Sequence, residues 1–333
     1  MEVKIFSNND LSNEDYHSET EHSSGSYLWK LLSKSPAHAH FPVEEDVIEE
    51  RSRALEFGSC AHTNLLERSK FDAEYIRMTM PGDEVEGELL TTAKACESFL
   101  KAKGIKGYSG KSADEVADLV MASLAPGEKV SVLRLINRAE QERADKIGAK
   151  LIRGDDYDKC MKMREVLLQN NEFSQFQTEG EAEVSIFAPY SGDDPDNPIP
   201  VKVRLDFVYD WTIIDYKTTI SAHPDDFGRQ CYNAGYYLKM ALQHDVFTLA
   251  YGRKPKKVIL LAQEKKYPFP CVTYVMTDEQ LAIGRSQYRA ALQMHRACKV
   301  ADVWPTYGGG NSMELPTPAF VKNMYKEFFN DSK

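Results

Sequence analysis

The chain has 333 residues, of which 42% are hydrophobic and 28% are charged, as is usual for a globular protein. No apolar run reaches the length of a membrane span, and the N-terminus lacks the basic-then-apolar pattern of a signal peptide. We therefore expect a cytoplasmic protein with no membrane partner. The six cysteines include no C-x-x-C pair, which argues against structural zinc, an iron–sulfur cluster of ordinary spacing and a disulfide scaffold.

The formal net charge at pH 7 is −10, the opposite of the basic footprint of most nucleic-acid-binding proteins. It does not exclude nucleic acid, because divalent ions neutralise the carboxylates of a metal site and local basic patches can coexist with an acidic total. The basic patches lie at 101–111, 254–257 and 265–266, although each is more often a solvated face.

The first half of the chain is predicted to be mainly helical. Residues 1–25 are polar and are expected to be flexible. Apolar residues at helical spacing then predict helices at 27–32, 48–66, 91–103, 112–124, 130–147 and 156–169. The helix at 48–66 carries His62 on a face with Gly58 and Ala61. A lone histidine in such a place is more often a core residue than a metal ligand.

The second half changes to a strand pattern. Strands are predicted at 181–187, 201–208, 211–218, 257–262 and 271–276, and helices at 224–242 and 278–298. Asp278 is the predicted N-cap of the last helix.

The strands at 201–208 and 211–218 carry three charged residues to one place. Alternation places Asp206 on the polar face of the first strand, and a spacing of two places Asp215 and Lys217 on one face of the second. The short connection at Tyr209 and Asp210 predicts a hairpin, with Asp206 beside Asp215. Two carboxylates this close repel each other unless a cation is present, so the pattern favours Mg²⁺ or Mn²⁺. D-x-K alone is a common triplet, however, and most instances are solvated strand faces.

An ordered set of motifs resembles the PD-(D/E)xK nuclease superfamily and, within it, the RecE-type (exodeoxyribonuclease VIII) branch. The set is G-x-x-x-H ending at His62, a strand glutamate at Glu183, R-x-D-F from Arg204 to Phe207, and I-D-x-K-T-T from Ile214 to Thr219. Further matches are S-P-A-H at 35–38, a segment at 233–237 similar to the N-Y-G-Y-H helix, G-R at 284–285 and W-P at 304–305.

The resemblance implies a role for each matching residue. Asp206 and Asp215 would be metal ligands, and Lys217 would be the catalytic lysine. His62 would be a further metal ligand or its neighbour, and Glu183 the upstream acidic residue. Residues expected to lie near DNA are Tyr236, Lys239, Arg204 and Gln230.

The chain departs from the RecE-type pattern at one position. Lys239 stands where the branch usually has glutamine, and Gln230 lies one helical turn or more earlier. The literal Pro-Asp of the superfamily name could be sought at Pro195 and Asp196, but that pair lies in a turn-rich loop, so we assign its role to Asp206.

The resemblance also implies the fold and the activity. The fold would be α/β (α+β), a restriction-endonuclease-like core with a mixed central sheet flanked by helices and an N-terminal helical layer. A single nuclease domain would span 26–333, with a mainly helical part at 26–170, a sheet core at 180–300 and a tail at 301–333.

The implied activity is a Mg²⁺-dependent exonuclease, with Mn²⁺ as a substitute. It would act 5′→3′ on the ends of linear double-stranded DNA and leave 5′-phosphates and 3′ overhangs. Its partners would be a single-strand annealing recombinase of a phage or prophage system and copies of itself in a ring, trimer or tetramer. Two alternatives stay open: a structure- or end-specific endonuclease, and a non-catalytic DNA-binding scaffold.

Overall fold

The structure is a computed structural model that describes residues 2–41, 48–169, 179–190 and 196–326. The strands are β1 (Lys4–Phe6), β2 (Ser23–Ser24), β3 (Tyr75–Met78), β4 (Glu88–Leu90), β5 (Val130–Val132), β6 (Lys150–Arg153), β7 (Glu181–Tyr190), β8 (Ile199–Tyr209), β9 (Thr212–Thr219), β10 (Lys257–Glu264) and β11 (Cys271–Val275). The longer helices are α2 (Gly25–Ser33), α4 (Ile48–Leu66), α6 (Ala93–Ala102), α7 (Ala113–Ala122), α8 (Leu133–Ile147), α9 (Gly154–Leu168), α10 (Pro224–Asn233), α11 (Tyr236–Tyr251) and α12 (Asp278–Ala301). The shorter ones are α1 (Asn13–Ser18), α3 (Pro36–His40), α5 (Arg68–Glu74) and α13 (Ala319–Met324). Pro195 and the last part of the predicted tail, 327–333, lie outside the described residues.

A mixed sheet forms the centre of the described structure. Its order is β1-β7-β8-β9-β10-β11, with β2 added beside β8. Strands β9 and β10 run parallel, whereas β7, β8 and β9 are antiparallel neighbours. Helices cover both faces, so the predicted α/β fold with a mixed central sheet is confirmed. Among the described residues, no helix is both long and apolar enough to cross a membrane.

Each face of the sheet has its own apolar core. On one face, Leu205 and Ile213 pack with α2, α11 and α12. On the other face, Phe207 and Ile214 pack with α4 and α9. Strict alternation would place Leu205 and Phe207 on the same face. The pleat of β8 therefore shifts at Asp206, the residue between them.

The N-terminal segment belongs to the sheet, which corrects the expectation of a flexible start. β1 pairs with β7, and Ser23 of β2 pairs with Val201 of β8. Lys202 lies on the predicted polar face of β8 but is only 4% exposed. Its Nζ donates to the backbone carbonyls of Tyr16, at 2.5 Å, and Glu19. The buried ammonium holds α1 against the sheet.

Three further details differ from the sequence prediction. The predicted helix at 224–242 is two helices, separated at Gly235, whose left-handed backbone (φ 70°) ends the first. Thr277, not Asp278, caps α12. The mainly helical first half also contains the short parallel pairs β3–β6 and β4–β5. The last pair belongs to a small separate core with α6 and α7.

Gly284→Ala is expected to destabilise the fold, because α12 packs against α11 through this glycine. A methyl group at Gly284 would lie 2.0 Å from the carbonyl oxygen of Tyr237 and 2.8 Å from Cβ of Ala241. Overpacking of this kind costs about 1–3 kcal/mol. Urea unfolding should show a lower midpoint for Gly284→Ala. The control is Gly228→Ala in α10, where a methyl group meets nothing within 4 Å. Equal midpoints for the two variants would contradict the packing argument.

Candidate active site

The candidate site lies where strands β8 and β9 separate. Their ladder joins only the three pairs next to the turn, from Phe207↔Ile214 to Tyr209↔Thr212. The turn residues are Asp210 and Trp211, both with positive φ, as a tight two-residue hairpin requires. Beyond the ladder, Oδ2 of Asp206 accepts a hydrogen bond from the backbone N–H of Tyr216 at 2.9 Å. The Asp206 side chain therefore accepts the hydrogen bond that a backbone carbonyl of β8 would accept in a continuous ladder.

Lys217 is held between two carboxylates, as the sequence predicts. Its Nζ lies 2.5 Å from Oδ2 of Asp215 and 3.5 Å from Oδ2 of Asp206. Burial alone would lower the pKa of Lys217, but the charges of Asp206 and Asp215 outweigh it and raise that pKa above its ordinary value. Burial, and then the charge of Asp206, raises the pKa of Asp215. The lysine is therefore a fixed cation at neutral pH.

Three side chains have the arrangement of a metal site. Ligand atoms of His62, Glu183 and Asp206 all lie within 4.8 Å of one another. Nδ1 of His62 is 3.7 Å from Oδ2 of Asp206. The sequence prediction placed Asp215 in this ligand set, whereas the structure groups Glu183 with His62 and Asp206 and pairs Asp215 with Lys217. Strands β8 and β9 are no longer paired at Asp206 and Asp215. Asp206 lies near both His62 and Lys217, whereas Asp215 contacts Lys217.

Glu183 adopts a strained backbone conformation. Its φ is +56°, in the left-handed region that non-glycine residues rarely occupy, and it faces the shifted pleat of β8. Its carboxylate is 3.5 Å from Nε of Arg204. Burial and the charge of Asp206 nevertheless raise the pKa of Glu183 to about 8. The carboxylates of Glu183 and Asp206 are thus close together and poorly solvated, and a cation bound between them would be favourable.

Glu183→Gln is expected to flatten the pH dependence of stability in metal-free protein. Because folding raises the pKa of Glu183 from 4.5 to about 8, its contribution is fully present below pH 4.5 and is lost as pH rises through 8. The loss should amount to a few kcal/mol. Thermal melts in EDTA across this range measure it, with Glu181→Gln, an exposed glutamate on the same strand, as control. Parallel curves for wild type and Glu183→Gln would contradict the assignment.

Three of the four residues predicted to lie near DNA are placed at the site. The Tyr236 ring centroid is 5.8 Å from Nζ of Lys217 and 5.6 Å from Nζ of Lys239. Oε1 of Gln230 accepts a hydrogen bond from the Thr219 hydroxyl at 2.8 Å. Burial, and then the charge of Lys217, lowers the pKa of Lys239. Lys239 thus adds a second amine group beside Lys217.

Arg204 has a different environment from the one predicted. Its guanidinium donates to the backbone carbonyl of Leu11 at 2.7 Å, to Oδ1 of Asn13 at 3.0 Å and to the Ser185 hydroxyl at 2.9 Å. Only 7% of its side chain is exposed. Arg204 therefore fixes the N-terminal segment. It also lines the cavity, and its contact with DNA stays a prediction.

The site opens into a cavity of about 1090 Å³. The N-terminal segment, the start of α2 and the end of α12 complete its wall. Residues that sequence reasoning missed in this wall include His17, His40, His295 and Lys299. No local pattern marks them, because α12 and the N-terminal segment meet only in the folded chain.

The residues present fit a hard divalent cation. His62, Glu183 and Asp206 would hold it, because carboxylate oxygens and an imidazole nitrogen are suitable donors. Burial, and then the charge of Asp206, raises the pKa of Glu183, and a bound cation would offset both effects.

This combination of a mixed sheet, D-x-K on a strand and a second carboxylate on the neighbouring strand defines a PD-(D/E)xK-like protein. Comparison with protein families agrees. Residues 24–314 match the family described as "PDDEXK-like domain of unknown function (DUF3799)", and the chain belongs to that family. The family and the site together support a nuclease.

Other comparisons give weaker likenesses. No curated protein matches the chain. A crystal structure of a "Putative exonuclease" from Eubacterium rectale is 13% identical, covers 86% of this chain and 98% of its own, and has a TM-score of 0.39. The crystal structure of SSO0001 is 12% identical, covers 72% of this chain and 86% of its own, and has a TM-score of 0.25. Neither likeness is strong enough to carry an argument about function.

Proposed function

We propose that this protein is a metal-dependent DNA exonuclease. The observation that carries the proposal is the cluster of His62, Glu183 and Asp206 beside Lys217. Glu183, Asp206 and Lys217 also line the cavity. The ordered motifs that resemble the RecE-type branch support the finer statement. The enzyme would act 5′→3′ on the ends of linear duplex DNA and leave 3′ overhangs for strand annealing.

The proposed metal is Mg²⁺, with Mn²⁺ as a substitute, held by His62, Glu183 and Asp206. When bound, a divalent ion polarises the scissile phosphate and offsets the charge that builds on it. Asp215 holds Lys217 through the 2.5 Å contact, and this fixes the ammonium beside Asp206. There Lys217 would orient the attacking water and stabilise the developing negative charge.

Substrate binding would use the polar groups around Tyr236. Lys239 lies beside the same ring as Lys217 and would contact a neighbouring phosphate, in place of the glutamine usual in the RecE-type branch. Gln230, held by Thr219, would support this wall. We further propose, from the resemblance alone, a homo-oligomer such as a ring and an annealing recombinase as partner.

Digestion of linear duplex DNA labelled at either 5′ end tests the proposal. The expected result is loss of the 5′ label as mononucleotides with Mg²⁺ or Mn²⁺, none with EDTA, and none from a covalently closed circle. Cutting of the circle would replace the proposal with an endonuclease. Absence of cleavage with any divalent ion, combined with retained DNA binding, would favour a non-catalytic scaffold.

A further inference from the structure

Two motifs that the proposed chemistry does not use meet in the same cavity. Ser35 caps α3, which carries the S-P-A-H segment, and the backbone N–H of Ala37 donates to the carbonyl of Pro305 in the W-P pair at 3.2 Å. This contact brings His40, at the end of α3, onto Trp304. Both residues line the cavity that also contains Asp206 and Lys217.

His40 and Trp304 form a face-to-face stack. Their ring centroids are 3.9 Å apart and their planes differ by 3°. His295 lies 5.9 Å from Trp304, and its Nδ1 is 2.8 Å from the Tyr27 hydroxyl. His40 is exposed, and Trp304, His295 and Tyr27 are half-buried, so this array is open to the cavity. Because the stack faces the cavity, its rings are available to a ligand as well as holding the two motifs together.

The cavity wall at the end of α12 carries one ammonium group, Lys299, and one carboxylate, Asp302. Lys299 follows His295 by one turn of α12 and also lines the cavity. Burial, and then the charges of Lys299 and His40, lowers the pKa of His295, so its ring is neutral at pH 7. Flat aromatic rings beside cations are the combination with which proteins bind single-stranded DNA, because every base has a face to stack while its phosphates need counter-charge.

We propose that the array formed by Tyr27, His40, His295 and Trp304 is a subsite for an unpaired base of the DNA strand. A base inside a duplex is already stacked on both faces, so an open aromatic stack favours a base that has left its partner. The subsite rests on the proposed function for its substrate class, but its geometry is separate from the metal cluster. It would hold a frayed or single-stranded nucleotide near the reacting phosphate.

Fluorescence anisotropy with single-stranded DNA tests the subsite. The protein is the full-length wild type in EDTA, which prevents metal-dependent cleavage, and the probes are one fluorescein-labelled oligonucleotide and a series in which a single abasic site moves along it. Loss of the stacked base should weaken binding about 5- to 150-fold at one position of the series. His40→Ala or Trp304→Ala should weaken binding to the complete oligonucleotide and remove that position dependence.

Two further variants keep the test decisive. Trp304→Phe should preserve the position dependence, and Phe320→Ala, which removes an exposed ring outside the cavity, should leave binding unchanged. If Trp304→Ala does not fold, His40→Ala carries the comparison. A flat abasic series, or one unaffected by His40→Ala, would overturn the subsite even in a protein that cleaves DNA. A position-dependent series in a protein that cleaves nothing would leave the subsite standing and overturn the nuclease instead.

Discussion

Lys217→Ala is expected to reduce DNA cleavage by a factor of about 10² to 10³, the effect of removing one preorganised charged donor from an active site. Lys217 supplies an ammonium group 3.5 Å from Oδ2 of Asp206, at the wall of the cavity. The measurement is the single-turnover rate on labelled linear duplex at saturating Mg²⁺. Mg²⁺ must be saturating because Lys217→Ala also removes the ammonium group that pairs with Asp206 and Asp215. Without bound metal, this loss destabilises the protein.

The matched control is Lys256→Ala. Lys256 precedes β10, pairs with Asp210 through contacts of 2.7 and 2.8 Å, and is 47% exposed, so its loss removes the same charge from a surface ion pair. Its cleavage rate should remain close to that of wild type. A Lys217→Ala protein that melts normally with Mg²⁺ and cleaves at a comparable rate would remove Lys217 from the mechanism.

The part of the site that the sequence predicts is the part built from local structure. Asp206, Asp215 and Lys217 lie on two strands joined by a two-residue turn, so alternation and the turn are enough to bring them together. The G-x-x-x-H motif on the helix at 48–66 predicts His62 as part of the site. Without that motif, a single histidine on a small-residue face would be read as a core residue. The structure places these four residues within one site.

The rest of the site depends on contacts between distant segments. Alternation along β8 predicts Lys202 and Arg204 on a polar face, and both do leave the strand there, but the N-terminal segment covers them. Their partners in the N-terminal segment lie more than 180 residues earlier in the chain, and no local pattern reveals the pairing. The left-handed backbone of Glu183 is likewise invisible in E-A-E-V, which reads as an ordinary strand. It accompanies the shift of the pleat at Asp206, a property of the β7–β8 pair and not of either strand alone.

Asp206→Asn is expected to weaken divalent-ion binding about 100-fold or more, above the 10- to 100-fold typical of residues that only support a metal ligand. Asp206 is the residue shared by both parts of the site, since its Oδ2 faces His62 at 3.7 Å and Lys217 at 3.5 Å. The amide oxygen of asparagine can still accept the hydrogen bond from Tyr216, so the strands should stay in place. Calorimetric titration with Mn²⁺, without DNA, measures the affinity.

The control for this substitution is Asp210→Asn. Asp210 lies in the turn at the end of the same strand, is 60% exposed, and has a φ of 41°, which asparagine tolerates. The Asp210→Asn substitution removes one carboxylate charge and leaves His62, Glu183 and Asp206 in place, so Mn²⁺ affinity should be unchanged. Asp206→Asn also removes a charge that raises the pKa of Glu183, so the pH dependence of stability between pH 4.5 and 8 should flatten in the same protein. Unchanged Mn²⁺ affinity together with a flattened pH profile would mean that Asp206 tunes Glu183 electrostatically and is not itself a ligand.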